Sequence, residues 1–332
     1  MQRVGDIPLM KRLAREAKAA VITPAKQKLL DAAVSIRQDP NDAEAAFMAR
    51  QLVQCTLPHT DPGKVEAWER RNGNLTLVIR PGWDSENKSA FGYPYGSIPR
   101  LLLFWMNTEA VKTKSRRLEL GHNLSDFMRA VGLDPNTGGG VRSDARRLRN
   151  QMERLFRAII SFQVSSIEDP HRHGKSWLDM QVAPEGELWW NPKRPEQGAL
   201  WGSWIELGER FFQAITASPV PVDMRALRAL KRSPLALDMY ALASYKAFAA
   251  NRAGAQFIPW NGLLQQLGAD YDTKRIDHFK EKVKAALRKV AAVFPEGLKH
   301  EWHRGGLTFL PGTKLAVAPA PKKLEGGKQQ TG

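Results

Sequence analysis

TGGGVRSDARRLRNQMERLF, residues 137–156, sets three glycines directly before a segment that reads as a helix with two unlike faces. At about 100° per residue, Leu148, Met152, Leu155, Phe156 and Ile159 fall in one stripe. Arg146, Asn150, Arg154 and Arg157 lie opposite, with Arg147 and Arg149 on the flanks. One face suits a core and the other an anion. Alone, such a helix is common on protein surfaces, where the charged face is merely solvated. Its neighbours along the chain give it direction.

Upstream, GYPYGSIPRLLLFWMNTEAVKTKSR (92–116) offers Ser97 as a cap and Pro99 in a first turn, with Ile98, Leu101, Leu102 and Trp105 at helical spacing. That predicts an amphipathic helix. LSDFMRAVG (124–132) predicts a shorter one, closed by Gly132 in the left-handed conformation glycine tolerates. Downstream, ISFQVSS (160–166), SWLDMQVA (176–183) and ELWW (187–190) alternate like strands, and His171, Arg172, His173, Gly174 and Lys175 fall at a hairpin tip. Three helices followed by a ribbon with a basic tip is the order of a winged helix.

The same order returns. RSPLALDMYALASYKAF (232–248) opens with another Ser-Pro start, WNGLLQQLG (260–268) is a short helix ending in glycine, residues 273–294 give a long one, and LKHEWHRGGLTFLPG (298–312) reads as a hairpin. In the long helix Ile276, Phe279, Val283, Leu287, Val290 and Phe294 share a stripe, while Lys274, His278, Lys282 and Lys289 face away beside Arg288. The expected fold is α+β and mainly helical, two tandem winged-helix domains related by internal duplication, with β-hairpin wings. The expected boundaries are a basic helical arm over 1–60, a first domain over 61–222, a second over 223–312 and a disordered tail over 313–332. Within the arm, 26–57 reads as a helical pair broken at Asp39-Pro40-Asn41-Asp42. LTLVIRPG (75–82) reads as a strand running into a turn.

The chain has 332 residues, 42% of them hydrophobic, and Lys+Arg 50 against Asp+Glu 34 gives a formal charge of +16, the balance of a protein that neutralises phosphates or anionic lipid. No stretch is long and apolar enough to span a membrane, and the first residues lack an apolar signal core. A soluble cytoplasmic protein with no membrane partner is the expectation. The single cysteine, Cys55, reads as a buried thiol. No GxxxxGK[ST], HExxH, GxSxG or paired-cysteine motif occurs, so no enzyme activity, metal or cofactor is expected. His171-Arg172-His173 departs from the metal pair of rolling-circle nickases, whose middle residue is apolar.

A helix about 10–12 Å wide fits the major groove, where arginine pairs with guanine and asparagine with adenine. Arg146, Arg147, Asn150 and Arg149 are the base-reading candidates of the first copy, and Lys274, Arg275 and His278 those of the second. Arg154, Arg157, Lys282 and Lys289 point to phosphates or solvent. Gly138, Gly139 and Gly140 permit close approach to a phosphate, with Arg142 and Ser143 completing the entry to the helix. Arg172, His173 and Lys175 form one wing tip, and His303 and Arg304 the other. Trp189, Trp190, Trp201 and Trp204 read as packing residues; any that are exposed can stack on unpaired bases, which adds single-stranded DNA as a secondary partner.

PYGSIPRLLLFWMNTEAVKTKSR, the TGGG-led basic helix with RLRNQMERLF, and RSPLALDMYALASY together resemble the RepA-type replication initiators of bacterial iteron plasmids, over roughly residues 50–312. The resemblance implies paired winged-helix domains that bind direct repeats in the plasmid origin, open adjacent AT-rich DNA and engage the host initiator and replicative helicase. It also implies a homodimer that represses and a monomer that fires the origin. Two helices in successive grooves would read about 10–10.5 base pairs apart, hence repeats of roughly 20. A stand-alone winged-helix transcriptional regulator built from the same units is the alternative.

Overall fold

The computed structural model describes residues 22–136, 143–169, 172–189, 202–268 and 276–317. Thr23 starts the first helix, α1 (Pro24–Gln38): its hydroxyl accepts from the Lys26 N–H at 3.3 Å and proline fills the first turn. Beyond the Asp39–Asp42 turn the expected second helix does not form. Ala45–Ala49 is a strand (β1), and only Arg50–Gln54 (α2) is helical. The cause is remote: β1 pairs antiparallel with 219–223, Ala45 opposite Asp223 and Ala49 opposite Pro219, burying Ala46 and Met48. Tertiary pairing overrides the helix propensity of an alanine-rich run. The second half of the predicted arm is therefore core, with Leu52, Val53, Cys55 and Leu57 buried. Burial, against the pull of nearby Arg70, pushes the Cys55 thiol up to about 11, so it stays protonated.

β2 (Trp68–Asn72) and β3 (Leu75–Arg80) form a hairpin around Gly73, which holds φ +59°, and β4 (Trp83–Asp84) and β5 (Ser89–Ala90) form a small one. α3 (Ser97–Thr113) begins one residue earlier than a Ser97 cap would place it: Gly96, at φ 80°, holds the cap position without a side-chain bond. It is buried all round from Ile98 to Thr108, not along one stripe, because other elements cover every side. After β6 (Arg117–Glu119), Asn123 caps α4 (Leu124–Ala130) by accepting from the Asp126 N–H at 2.8 Å, and Gly132 ends it at φ +81° as expected.

α5 (Asp144–Phe156) leads into a long hairpin, β7 (Ile159–Asp169) and β8 (Arg172–Gln181). Of the described part of the ELWW stretch only Glu187 is extended, in β9 (Glu185–Glu187). Then come β10 (Trp204–Glu206), α6 (Glu209–Ala217), β11 (Pro219–Asp223) and α7 (Met224–Leu230). α8 (Pro234–Ala253) is capped by Ser233 and followed by β12 (Gln256–Pro259), α9 (Trp260–Leu267), α10 (Ile276–Ala292), β13 (His300–Trp302) and β14 (Gly306–Phe309). At the end of α9, Gly268 sits at φ −97°, where a Cβ would come within 2.7 Å of the Leu264 carbonyl oxygen. Close approach, not handedness, requires glycine there. Thr313, assigned to the tail, is 2% exposed and accepts from the Lys299 N–H at 3.0 Å.

The fold is α+β, with small antiparallel sheets ordered β1-β11, β2-β3-β7-β8, β6-β10-β9 and β12-β14-β13. Both halves run long helix, short strand, short helix, long helix, hairpin. Their pairing differs. β12 joins the β13/β14 hairpin as a third strand, whereas β6 pairs with β10 and the β7/β8 hairpin extends the β2/β3 sheet. One buried cluster runs without a break from Ile36 to Phe309, and residues 222 and 223 lie inside β11.

At the centre, Arg100 on α3 is 2% exposed and spends all five N–H donors. Nε and Nη2 reach the Asp238 carboxylate on α8 at 2.7 and 2.8 Å; the carbonyls of Leu57, Pro58 and Gly96 accept the rest at 2.7, 3.0 and 2.7 Å. His59 Nε2 donates to Asp238 Oδ2 at 2.8 Å. Burial alone would raise the Asp238 pKa, but the Arg100 charge and the hydrogen bonds hold the carboxyl well below its usual range. Burial also lowers the His59 pKa: Asp238 pulls it up, yet that carboxylate is already neutralised by Arg100.

Asp238→Ala strands the buried Arg100 charge and should cost about 3–5 kcal/mol in urea unfolding, while Arg100→Met with Asp238→Leu should recover much of it. His59 has a lower pKa folded than unfolded, so between the two values the unfolded chain binds the extra proton. Stability should fall as pH drops below the ordinary histidine value of 6.5, and unfolding of His59→Gln at pH 7.5 and 5.5 should lack that loss.

Candidate nucleic-acid interface

The first turn of α5 is fixed by Ser143, whose hydroxyl accepts from the Arg146 N–H at 3.3 Å and whose carbonyl accepts from the Arg147 N–H at 3.1 Å. Ser143 is 5% exposed, so its hydroxyl is committed to the cap. Ala145, Leu148, Met152, Leu155 and Phe156 seal one face into the core, as the spacing demands. Gln151 is buried with them: its Oε1 accepts from the Tyr95 N–H at 2.9 Å and pins the helix to the chain before α3.

On the other face Arg146, Arg147 and Asn150 are exposed together. Arg147 has an exposed ion pair to Asp144 at 3.3 Å, and Arg149 is half-buried beside Glu153 at 3.7 Å. Burial raises the Glu153 pKa, Arg149 lowers it and Asp84 adds to the rise. Arg154 departs from expectation. Only 17% exposed, it pairs with Asp61 at 3.0 Å, donates to the Tyr93 carbonyl at 3.1 Å and lies over the Tyr95 ring, 5.3 Å from its centroid. A Cβ on Gly92 would come within 3.1 Å of its guanidinium carbon, so this arginine braces the 91–96 segment. Arg157 remains exposed, over Phe91.

Gly138, Gly139, Gly140, Arg142, His171, Lys274 and Arg275 lie outside the described residues. Arg172 and His173 open β8 opposite Asp169 and Ile167; their side chains lie outside the description too. Lys175 is exposed opposite Ser165. Lower down, Asp179 fastens the hairpin by accepting from Ser161 Oγ and pairing with Arg80 at 3.3 Å.

In the second half, Phe279, Val283, Ala286, Leu287 and Val290 of α10 are buried, while His278, Lys282, Arg288 and Lys289 are exposed. His303 and Arg304 stand exposed in the β13–β14 turn. That turn is locked by His303 N–H to the Gly306 carbonyl at 2.8 Å and by Trp260 Nε1 to the His303 carbonyl at 3.1 Å. Trp302 stacks on Trp260 at 6.2 Å, and Phe257 is 55% exposed on the same sheet. Neither Phe257 nor Trp302 stood out in the sequence, since single aromatics in strands usually face a core. Of the four tryptophans singled out there, Trp189 is exposed, Trp204 packs under Arg117 at 4.0 Å, and Trp190 and Trp201 lie outside the described residues.

Arg146, Arg147 and Asn150 border a cleft of 470 Å³ that also takes in Arg232, which sequence reasoning passed over. Exposed guanidiniums and an amide on a rigid, capped helix can recognise phosphates and base edges. Among the described residues no cluster of three His, Cys, Asp or Glu side chains could hold a metal ion, and no helix is long and apolar enough to cross a membrane.

The two faces of α5 should separate in mutants. Gln151→Ala, which removes the acceptor of the Tyr95 N–H, should cost about 1–3 kcal/mol of stability, and Arg146→Ala should stay within about 0.5. Thermal unfolding reads both.

Two crystal structures of domains 2 and 3 of RctB are similar: RctB-155-483, at 11% identity and TM-score 0.47, covering 79% of this chain and 97% of that one, and the SeMet derivatives, at 13% identity and TM-score 0.45, covering 79% and 95%. No curated protein matches. The family model described as "Plasmid encoded RepA protein" matches residues 93–262, just over half of the chain, from the loop before α3 to the start of α9. The protein belongs to the plasmid-encoded RepA family of replication initiators.

Proposed function

We propose that this initiator acts by binding direct repeats in the duplex DNA of its origin, with two winged-helix units reading each repeat. The observation that carries the reading is the α5 surface, where Arg146, Arg147 and Asn150 project together from a helix whose opposite face is sealed in the core. The repeated order of elements supports it, as does the second half, where a three-stranded sheet of order β12-β14-β13 follows the exposed basic face of α10. His303 and Arg304 then lie on the DNA backbone, and Lys175 does so for the first half. In this reading the protein opens adjacent DNA and recruits the host initiator and helicase without a catalytic step of its own. It works in the cytoplasm, as a monomer at the origin and as a homodimer when it represses its own gene. The exposed Trp302 and Phe257 are suited to stacking on unpaired bases of the opened strand.

Binding isotherms on duplexes from the DNA flanking the gene test the proposal. A duplex with one direct repeat should be bound, and each added repeat should add a binding step. Asn150→Ala should lose about 1–3 kcal/mol of discrimination at one base pair. Lys289→Ala should weaken all duplexes alike and reduce the salt slope by about 0.9. Tight binding confined to an inverted repeat at the promoter would make the protein a transcriptional regulator instead.

A further inference from the structure

The cleft beside α5 is walled by both halves of the chain. Arg146, Arg147 and Asn150 come from the first, and Arg232 comes from the residue just before the Ser233 cap of α8. Among the described residues no acidic side chain lines it. Among the described residues, neither Arg146 nor Arg232 has a carboxylate within ion-pair distance, although both are exposed in a protein where most other arginines of α5 have found one. The back wall is the start of α3, whose cap residue Gly96 offers no side chain. Ser97 and Ile98 border the cleft, and their N–H groups, at the start of the helix, have no partner among the described residues. Two helix starts, α3 and α8, add their positive ends to three guanidiniums in a space of 470 Å³.

We propose that this cleft seats one phosphodiester of the DNA backbone, with Arg232 and the Ser97 and Ile98 amides as its ligands, so that a single phosphate is held by both halves at once. The inference rests on the DNA-binding reading above. DNA, and not a free phosphate, is the occupant the surface favours. The cleft is continuous with Arg146 and Asn150, which face the groove in that reading, and a phosphate following those bases along the strand enters it directly. Its role is to set where the second half lies relative to the bases read by the first. Backbone contacts of this kind fix register without reading sequence.

Duplexes carrying one direct repeat, with each phosphate in turn replaced by a neutral methylphosphonate, test the seat against the full chain and its variants. Arg232→Ala should weaken binding to unmodified DNA about tenfold, with Arg232→Lys between it and the parent. For the parent, one phosphate position should cost a similar factor on neutralisation. At that position Arg232→Ala should lose nothing more. Arg252→Ala removes an equal charge at the far end of the 20-residue α8, about 30 Å away, and should bind as the parent does. Specific binding by the parent with no phosphate coupled to Arg232, or equal losses in Arg232→Ala and Arg252→Ala, would overturn the seat and leave the DNA reading standing. Absence of specific binding by the parent would overturn the DNA reading and the seat with it.

Discussion

The placement of the two halves depends on the ion pair between Arg100 and Asp238. It joins α3 to α8, the two described helices with the most buried residues, and through the Leu57 and Pro58 carbonyls and His59 it also fixes the segment that precedes the first hairpin. Removing two charges from water is costly, and the attraction between them repays the cost only when every donor and acceptor is satisfied. Here all five guanidinium donors are. The pair therefore contributes specificity more than net stability: sliding α3 along α8 by a single residue would leave both charges buried and alone. α5 packs on α3 and α10 packs on α8, so one buried contact sets the frame in which both basic helices are displayed.

Much of α5 was legible because everything that makes it is local. The apolar stripe, the Ser143 cap and the basic face all follow from residues within a few turns of each other, and Gly132 announces the end of α4 by the same kind of short-range rule. What sequence reasoning missed is non-local. β1 has the composition of a helix and is a strand because its partner lies in 219–223. Arg146 and Arg154 occupy the same side of the wheel and are chemically identical, yet Asp61 and the Tyr93 carbonyl turn the second toward the protein. Arg100 looks like one polar position of an amphipathic helix, and only the carboxylate on α8 makes it a core residue. Arg232 precedes a cap and belongs to no periodic pattern, so nothing in the sequence marked it as part of a site.

The two halves share an order of elements without sharing a sheet plan, and the difference is instructive. The second half closes its own three-stranded sheet, while the first lends its hairpin to β2 and β3 and pairs β6 elsewhere. One continuous core from Ile36 to Phe309 joins the two halves. For the DNA-binding mode proposed above, the consequence is a fixed spacing between two basic surfaces on one chain.

That spacing is the central claim, and a hydroxyl-radical footprint of the purified protein on a duplex bearing a single direct repeat measures it. The account predicts two protected patches on one face of the DNA, about 10–10.5 base pairs apart, rising together over one range of protein concentration. A single patch per bound chain, or two patches that fill at separate concentrations, would contradict it.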